Sequence, residues 1–186
     1  MKRILLVFIA ALAVCSASFA QSSILGTWVL DISESGSQDD EKASVDMSID
    51  ATDIITLSAS SSFTKNMTMT MALNAEGKED AAGEKVNMTL TVKGSISGTW
   101  TYQDGILTLT PDKKAKPVIE VESDGLPGVA KAMLSPMIKK EVKAGLTEVD
   151  RSEVISITDT ELTLKDIPDP KSKDKTEPET SVYKRK

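Results

Sequence analysis

The sequence predicts an all-β domain: an antiparallel meander barrel with one short, broken helical segment before its last strands. Three observations point there. Apolar and polar residues alternate with period two along most of the chain, two tight Asp-centred turns mark hairpins, and helical spacing occurs in a single stretch. The 186 residues are 40% apolar and 27% charged, which suits one ordinary folded domain. Ten or so short strands with no Pro/Gly-rich boundary between two halves match a single barrel or sandwich.

Residues 1–20 read as a secretory signal. Lys2 and Arg3 form a charged start, Ile4 to Val14 an apolar run, and Ser18 and Ala20 a small-residue cleavage site before Gln21. The run is short for a membrane span, and no other stretch is long and apolar enough. The mature chain, 21–186, is therefore expected to be exported, periplasmic or extracellular, with no transmembrane span. A lesser reading anchors it by lipid at Cys15, but Val14 is larger than the small residue that normally precedes an acylated cysteine. If the signal is removed, the only cysteine leaves with it. The mature chain then has neither Cys nor His, so it lacks disulfides, thiolate nucleophiles and imidazole bases.

The strands follow in order. Ile24 to Leu30 opens the domain, and the polar stretch 33–42 is expected to be loop. Val45, Met47 and Ile49 alternate with polar residues, a turn is expected at 50–53, and Ile54 to Leu57 follows. From Phe63 to Leu73, the side chains of Met67, Met69, Met71 and Leu73 share one face and threonines the other. Val86, Met88, Leu90 and Val92 repeat the pattern. Pairing Asn74 with Lys85 across a loop at 75–84 would set Met71 opposite Met88 and Met69 opposite Leu90. Asp104-Gly105 suits a type I′ turn that places Trp100 opposite Leu109 and Tyr102 opposite Leu107. Asp159-Thr160 makes a second such hairpin, pairing Ile157 with Leu162 and Ile155 with Leu164. Between the hairpins, Ala130, Met133, Leu134, Met137, Ile138 and Val142 take helical spacing, which Pro136 is expected to break into two short helices. After a Pro- and charge-rich connection at 167–180, Ser181 to Arg185 is the last strand.

Gly26-Thr27-Trp28 on the first strand, the hairpin meander and a basic residue on the last strand resemble the lipocalin-like (calycin) domains of small exported bacterial proteins. The same tripeptide recurs at Gly98-Thr99-Trp100, but position favours Trp28. The resemblance implies a structural signature of Gly26, Trp28 and Arg185, with Arg185 of the last strand covering the indole of Trp28 and closing the barrel base. The parity of Tyr183 and Arg185 agrees. Such a cation–π contact contributes about 0.5–2 kcal/mol.

Composition narrows the chemistry. With 28 acidic against 22 basic residues and a net charge of −6, no basic face for nucleic acid is expected. The sequence lacks G-x-S-x-G, P-loop and dinucleotide motifs, and no carboxylate pair can be nominated, so no enzyme is expected and no cofactor. The acidic runs at 39–41 and 76–80 lack EF-hand spacing and read as solvated loops, so no metal site is expected. The expected function is noncatalytic binding of a small apolar or amphipathic ligand in the barrel interior, by Met67, Met69, Met71, Met88, Leu90, Trp100 and Tyr102. Methionine is flexible and polarizable and adapts to varied apolar shapes. The alternative is a barrel filled by those same side chains, acting as a structural module whose charged loops meet an unknown protein partner.

Overall fold

The computed structural model describes residues 24–39, 43–77, 85–125, 128–168 and 178–186. The export signal, Cys15 and most of the loops expected at 75–84 and 167–180 lie outside the described residues.

The chain forms a closed, eight-stranded antiparallel barrel with one helix before the last strands. The strands are β1 (Gly26–Asp39), β2 (Ala43–Leu57), β3 (Ser62–Gly77), β4 (Lys85–Gln103), β5 (Ile106–Pro111), β6 (Val118–Asp124), β7 (Asp150–Ile157), β8 (Glu161–Asp166) and β9 (Thr180–Arg185). Helix α1 (Gly128–Thr147) lies between β6 and β7. In chain order the ring runs β1-β2-β3-β4-β5-β7-β8-β9, and β9 pairs back with β1 to close it. The ninth strand, β6, attaches to one half of β4 alone.

Strand length explains the shape. β1 to β4 have 14 to 19 residues, whereas the other strands have six to eight. Only the ends of the long strands that hold Trp28, Ile55, Phe63 and Trp100 belong to the barrel; the rest continues as an arm of four strands plus β6. Gly98 marks the change. On one side of it β4 pairs with β6 through Thr89 to Ser95, and from it onward β4 pairs with β5. A Cβ at Gly98 would run into the carbonyl oxygen of Thr110 and stand 2.8 Å from Pro111 Cα, so only glycine lets β4 pass this close to the end of β5.

The closed end of the barrel is packed solid. Trp28, Trp100, Leu57, Leu107 and Leu162 are each at most 2% exposed and form one cluster with Ile55, Phe63, Leu109 and Leu164. Both indoles are satisfied: Trp28 Nε1 donates to the Ile24 carbonyl at 2.8 Å and Trp100 Nε1 to that of Ser58 at 3.0 Å.

Several local expectations are corrected. The stretch from Ser33 is not loop, because β1 pairs with β2 as far as Asp39. Cross-strand bonds sustain it although it is exposed: Ser33 Oγ donates to Asp50 Oδ1 at 2.6 Å, and Thr52 Oγ1 to Asp31 Oδ1 at 2.7 Å. Residues 50–53 are likewise strand, not turn. The β3–β4 register is two residues from the expected one. Asn74 faces Asn87, Met71 faces Leu90 and Met69 faces Val92, while Glu76 meets Lys85 in an ion pair of 3.2 Å. A two-residue slip leaves every side chain on its own face, so alternation alone could not detect it. The second hairpin pairs Ile157 with Leu162 as expected, but a bulge leaves Ile155 53% exposed and puts Val154 opposite Leu164.

Pro136 does not break the helix. α1 runs unbroken for 20 residues with Pro136 inside it. Both Pro136 and Ala132, whose carbonyl loses its partner, are exposed, where hydration lowers the cost of the missing bond. Val142 and Leu146 fix the following turns against the arm, and Leu146 reaches over Gly94 beside Met67.

Candidate functional site

Beyond the packed end, the barrel opens where the arm departs. β9 stays beside β1 only at Trp28 and Val29, and β5 leaves β4 at Gly98, so the two halves splay apart. Between them is a cleft of about 530 Å³. Leu30 and Ile32 of β1 with Met67 and Met69 of β3 form one apolar wall; Leu107, Leu109 and Leu164 form the opposite one. The end of α1 and the residues after it, Gly145, Glu148 and Val149, border the mouth.

The cleft also has a polar side built from strand positions that point inward. Asp53 shares the face of Ile55 and Leu57, Lys65 that of Phe63 and Met67, and Tyr183 that of Arg185. Lys65 Nζ donates to Asp150 Oδ2 at 3.2 Å and stands 3.5 Å from Asp53 Oδ2. Tyr183 donates its hydroxyl proton to the same Asp53 oxygen at 2.9 Å. Buried Ser152 donates at long range to Asp150 Oδ1 and Asp166 Oδ1, at 3.5 and 3.4 Å. The other Asp53 oxygen, Oδ1, is buried and accepts no hydrogen bond among the described residues.

Burial and charge act in opposite directions on Lys65. Desolvation pulls its pKa down, but Asp53 and Asp150 together outweigh it and hold the ammonium above its ordinary 10.5. Lys65 therefore stays charged, and its contribution to stability is complete below pH 10.5 and lost as pH rises through the raised value. Burial and then the charge of Asp53 push the Tyr183 phenol far up, so it remains a proton donor. Asp166 is raised above its ordinary 3.8 by desolvation and then by the nearby Asp150 charge. The folded state thus holds this proton more tightly than the unfolded chain, and stability falls as pH rises from 3.8 through the raised value. Asp166→Asn is expected to be more stable than the parent at pH 7, with the difference vanishing below pH 3.8. Urea midpoints of both chains across that range check it, and an equal difference at all pH values would refute it.

Of the residues expected to bind a ligand, Met67 and Met69 line the cleft. Met71, Met88 and Leu90 sit further out on the arm, where Met71 faces Leu90 and Met88 faces Leu73. Trp100 is 1% exposed in the packed core, and Tyr102 packs against it. The signature residues meet at the closed end: Trp28 and Arg185 are direct strand partners, the guanidinium lies 4.2 Å from the indole centroid, and Nη1 donates to the Leu25 carbonyl at 2.7 Å. Gly26, at φ +130°, lies beneath that guanidinium; a Cβ there would stand 2.8 Å from Nη1.

Asp53, Lys65, Asp150, Ser152, Asp166 and Tyr183 were not legible as a group. One signal was present: Lys65 falls in the parity of Phe63, Met67 and Met69, a charge on an otherwise apolar face. Among the described residues, no group of three or more His, Cys, Asp or Glu is placed to hold a metal ion, and no helix is long and apolar enough to cross a membrane.

Fold and site together define an antiparallel barrel, packed at one end and open at the other into a cleft with apolar walls and a charged side. No protein-family model matches the chain, and no curated protein matches it.

Proposed function

We propose that this is an exported, noncatalytic, lipocalin-like protein that holds a small amphipathic molecule in the open cleft, not deep in the barrel. The observation that carries this reading is the cleft itself, in which two apolar walls stand beside the charges of Asp53, Lys65 and Asp150. Asp53 lines the cleft with 19% of its side chain exposed, and a ligand N–H brought to this carboxylate makes a charge-assisted bond. The apolar body of the ligand lies along Leu30, Met67 and Met69. Met side chains suit a ligand of variable shape. Support for a binding role also comes from the placement of the charges: Lys65 is neutralised by two aspartates, so it has no free role as a nucleophile.

Titration with a dansyl-labelled alkylamine tests the proposal, with native mass spectrometry of gently extracted protein to look for a retained ligand. Saturable binding at one site is expected. Met69→Glu is expected to weaken it about tenfold by placing a charge on the apolar wall, and Asp53→Asn by about ten- to a hundredfold through loss of a charge-assisted bond. Absence of saturable binding, or binding indifferent to both substitutions, would reject the cleft as a ligand site.

A further inference from the structure

Helix α1 is apolar on two opposite sides, and only one of them is used. Val142 and Leu146 face the arm, with Leu146 5% exposed. On the other side, Val129, Met133 and Met137 recur at every fourth position and are 76%, 67% and 66% exposed. A helix lying on a protein in water is expected to be polar on that side. The stripe also lies on a basic element. α1 carries Lys131, Lys139, Lys140 and Lys143 against Glu141 alone, in a chain of net charge −6. Lys139, Lys140 and Lys143 are exposed. On β6, against which α1 packs, Glu120 and Glu122 alternate with Ile119 and Val121, and Ile119 belongs to the cluster that includes Leu146. The acids of β6 therefore point to the face away from the helix.

We infer that α1 is a docking surface for an anionic phospholipid bilayer, on which it lies in plane with Val129, Met133 and Met137 among the upper acyl chains and its lysines at the phosphates. Charge chooses this occupant. A second copy stacked on the same stripe would set one lysine-rich helix against another, whereas an anionic headgroup layer is complementary to the lysines and its hydrocarbon to the stripe. Long lysine side chains reach the phosphates while their methylene stems lie along the apolar layer. With five charged residues, α1 lies on a membrane and does not span it. Its C-terminal end borders the cleft through Gly145, so docking sets the cleft mouth at headgroup level. The docking inference stands on the helix alone and does not require that the cleft bind a ligand.

Co-sedimentation of the full chain with vesicles tests it, using phosphatidylcholine alone and an equal mixture of phosphatidylcholine and phosphatidylglycerol. The apolar run Ile4 to Val14 is itself membrane-seeking, so the comparison is between chains with identical N-termini. Binding is expected to the anionic vesicles, weakened by added salt. Lys139→Gln, Lys140→Gln and Lys143→Gln together are expected to weaken it about a hundredfold, and Met133→Ser with Met137→Ser about tenfold. All these positions are exposed, and an unchanged circular dichroism spectrum confirms that the variants fold. Equal binding by the parent and both variants, or none by the parent, overturns the inference. So does self-association in sedimentation velocity that the methionine variant abolishes while vesicle binding is absent. Because dansyl-alkylamine titration is run without vesicles, failure of docking and failure of the cleft reading are separate results.

Discussion

Trp28→Ala is expected to lower the stability of the domain by about 3–5 kcal/mol, the usual cost of emptying a large buried aromatic site. Trp28 is fully buried, so its removal leaves a cavity at the closed end among Ile24, Leu57 and Leu162. Two further contacts go with it: the Nε1 bond to the Ile24 carbonyl and the stack under Arg185. Against a typical total of about 5–15 kcal/mol, the variant is left near its folding threshold. Urea unfolding followed by near-ultraviolet circular dichroism measures it. Arg185→Ala keeps the indole and is expected to cost less, about 1–2 kcal/mol, for the stack and the lost bond to Leu25. A Trp28→Ala cost no larger than that of Arg185→Ala would mean that packing of the indole does not key the barrel base.

Gly98→Ala is expected to cost about 3 kcal/mol, at the upper end for overpacking, because the new methyl meets main chain that cannot rotate away. Thr110 O and Pro111 Cα belong to β5, the strand that β4 has just taken as its partner, and the Phe63 ring closes the third side at 2.6 Å. Relief requires the β4–β5 pairing to open, and that pairing carries Trp100 opposite Leu109. Gly94→Ala is the control. Its methyl meets only the ends of Leu146 and Met67 side chains, which can move, so about 1 kcal/mol is expected. Equal losses at the two positions would show that the branch point is not what Gly98 protects.

The sequence made the barrel legible where side chains alternate against a sharp turn. Asp104-Gly105, both at positive φ, fixed the β4–β5 register, and the parity of Tyr183 brought Arg185 over Trp28. It misled where the backbone, not the side chains, makes the strand. Ser33 to Asp39 has no apolar periodicity because it is exposed on both sides, and cross-strand polar bonds replace that signal. The cleft was half legible. Met67 and Met69 follow from alternation, but Asp53, Lys65, Asp150, Asp166 and Tyr183 come from five strands and converge only when the ring closes. Spacing along the chain holds no trace of such convergence, and the splaying that opens the cleft depends on where β9 parts from β1, a property of strand lengths and partners.

The separation in sequence between β1 and β9 also bears on the order of folding. Arg185 Nη1 and the Leu25 carbonyl are 160 residues apart in sequence, yet their bond lies at the seam where the ring closes. The hairpins β2–β3, β3–β4 and β4–β5 can form early from neighbouring residues, but the β1–β9 seam must wait until β9 is available. Closure is therefore expected to come late. Until it happens, the first strand keeps an open edge and its tryptophan lacks the Arg185 cover, so a newly made chain is expected to stay pliable for as long as β9 is withheld.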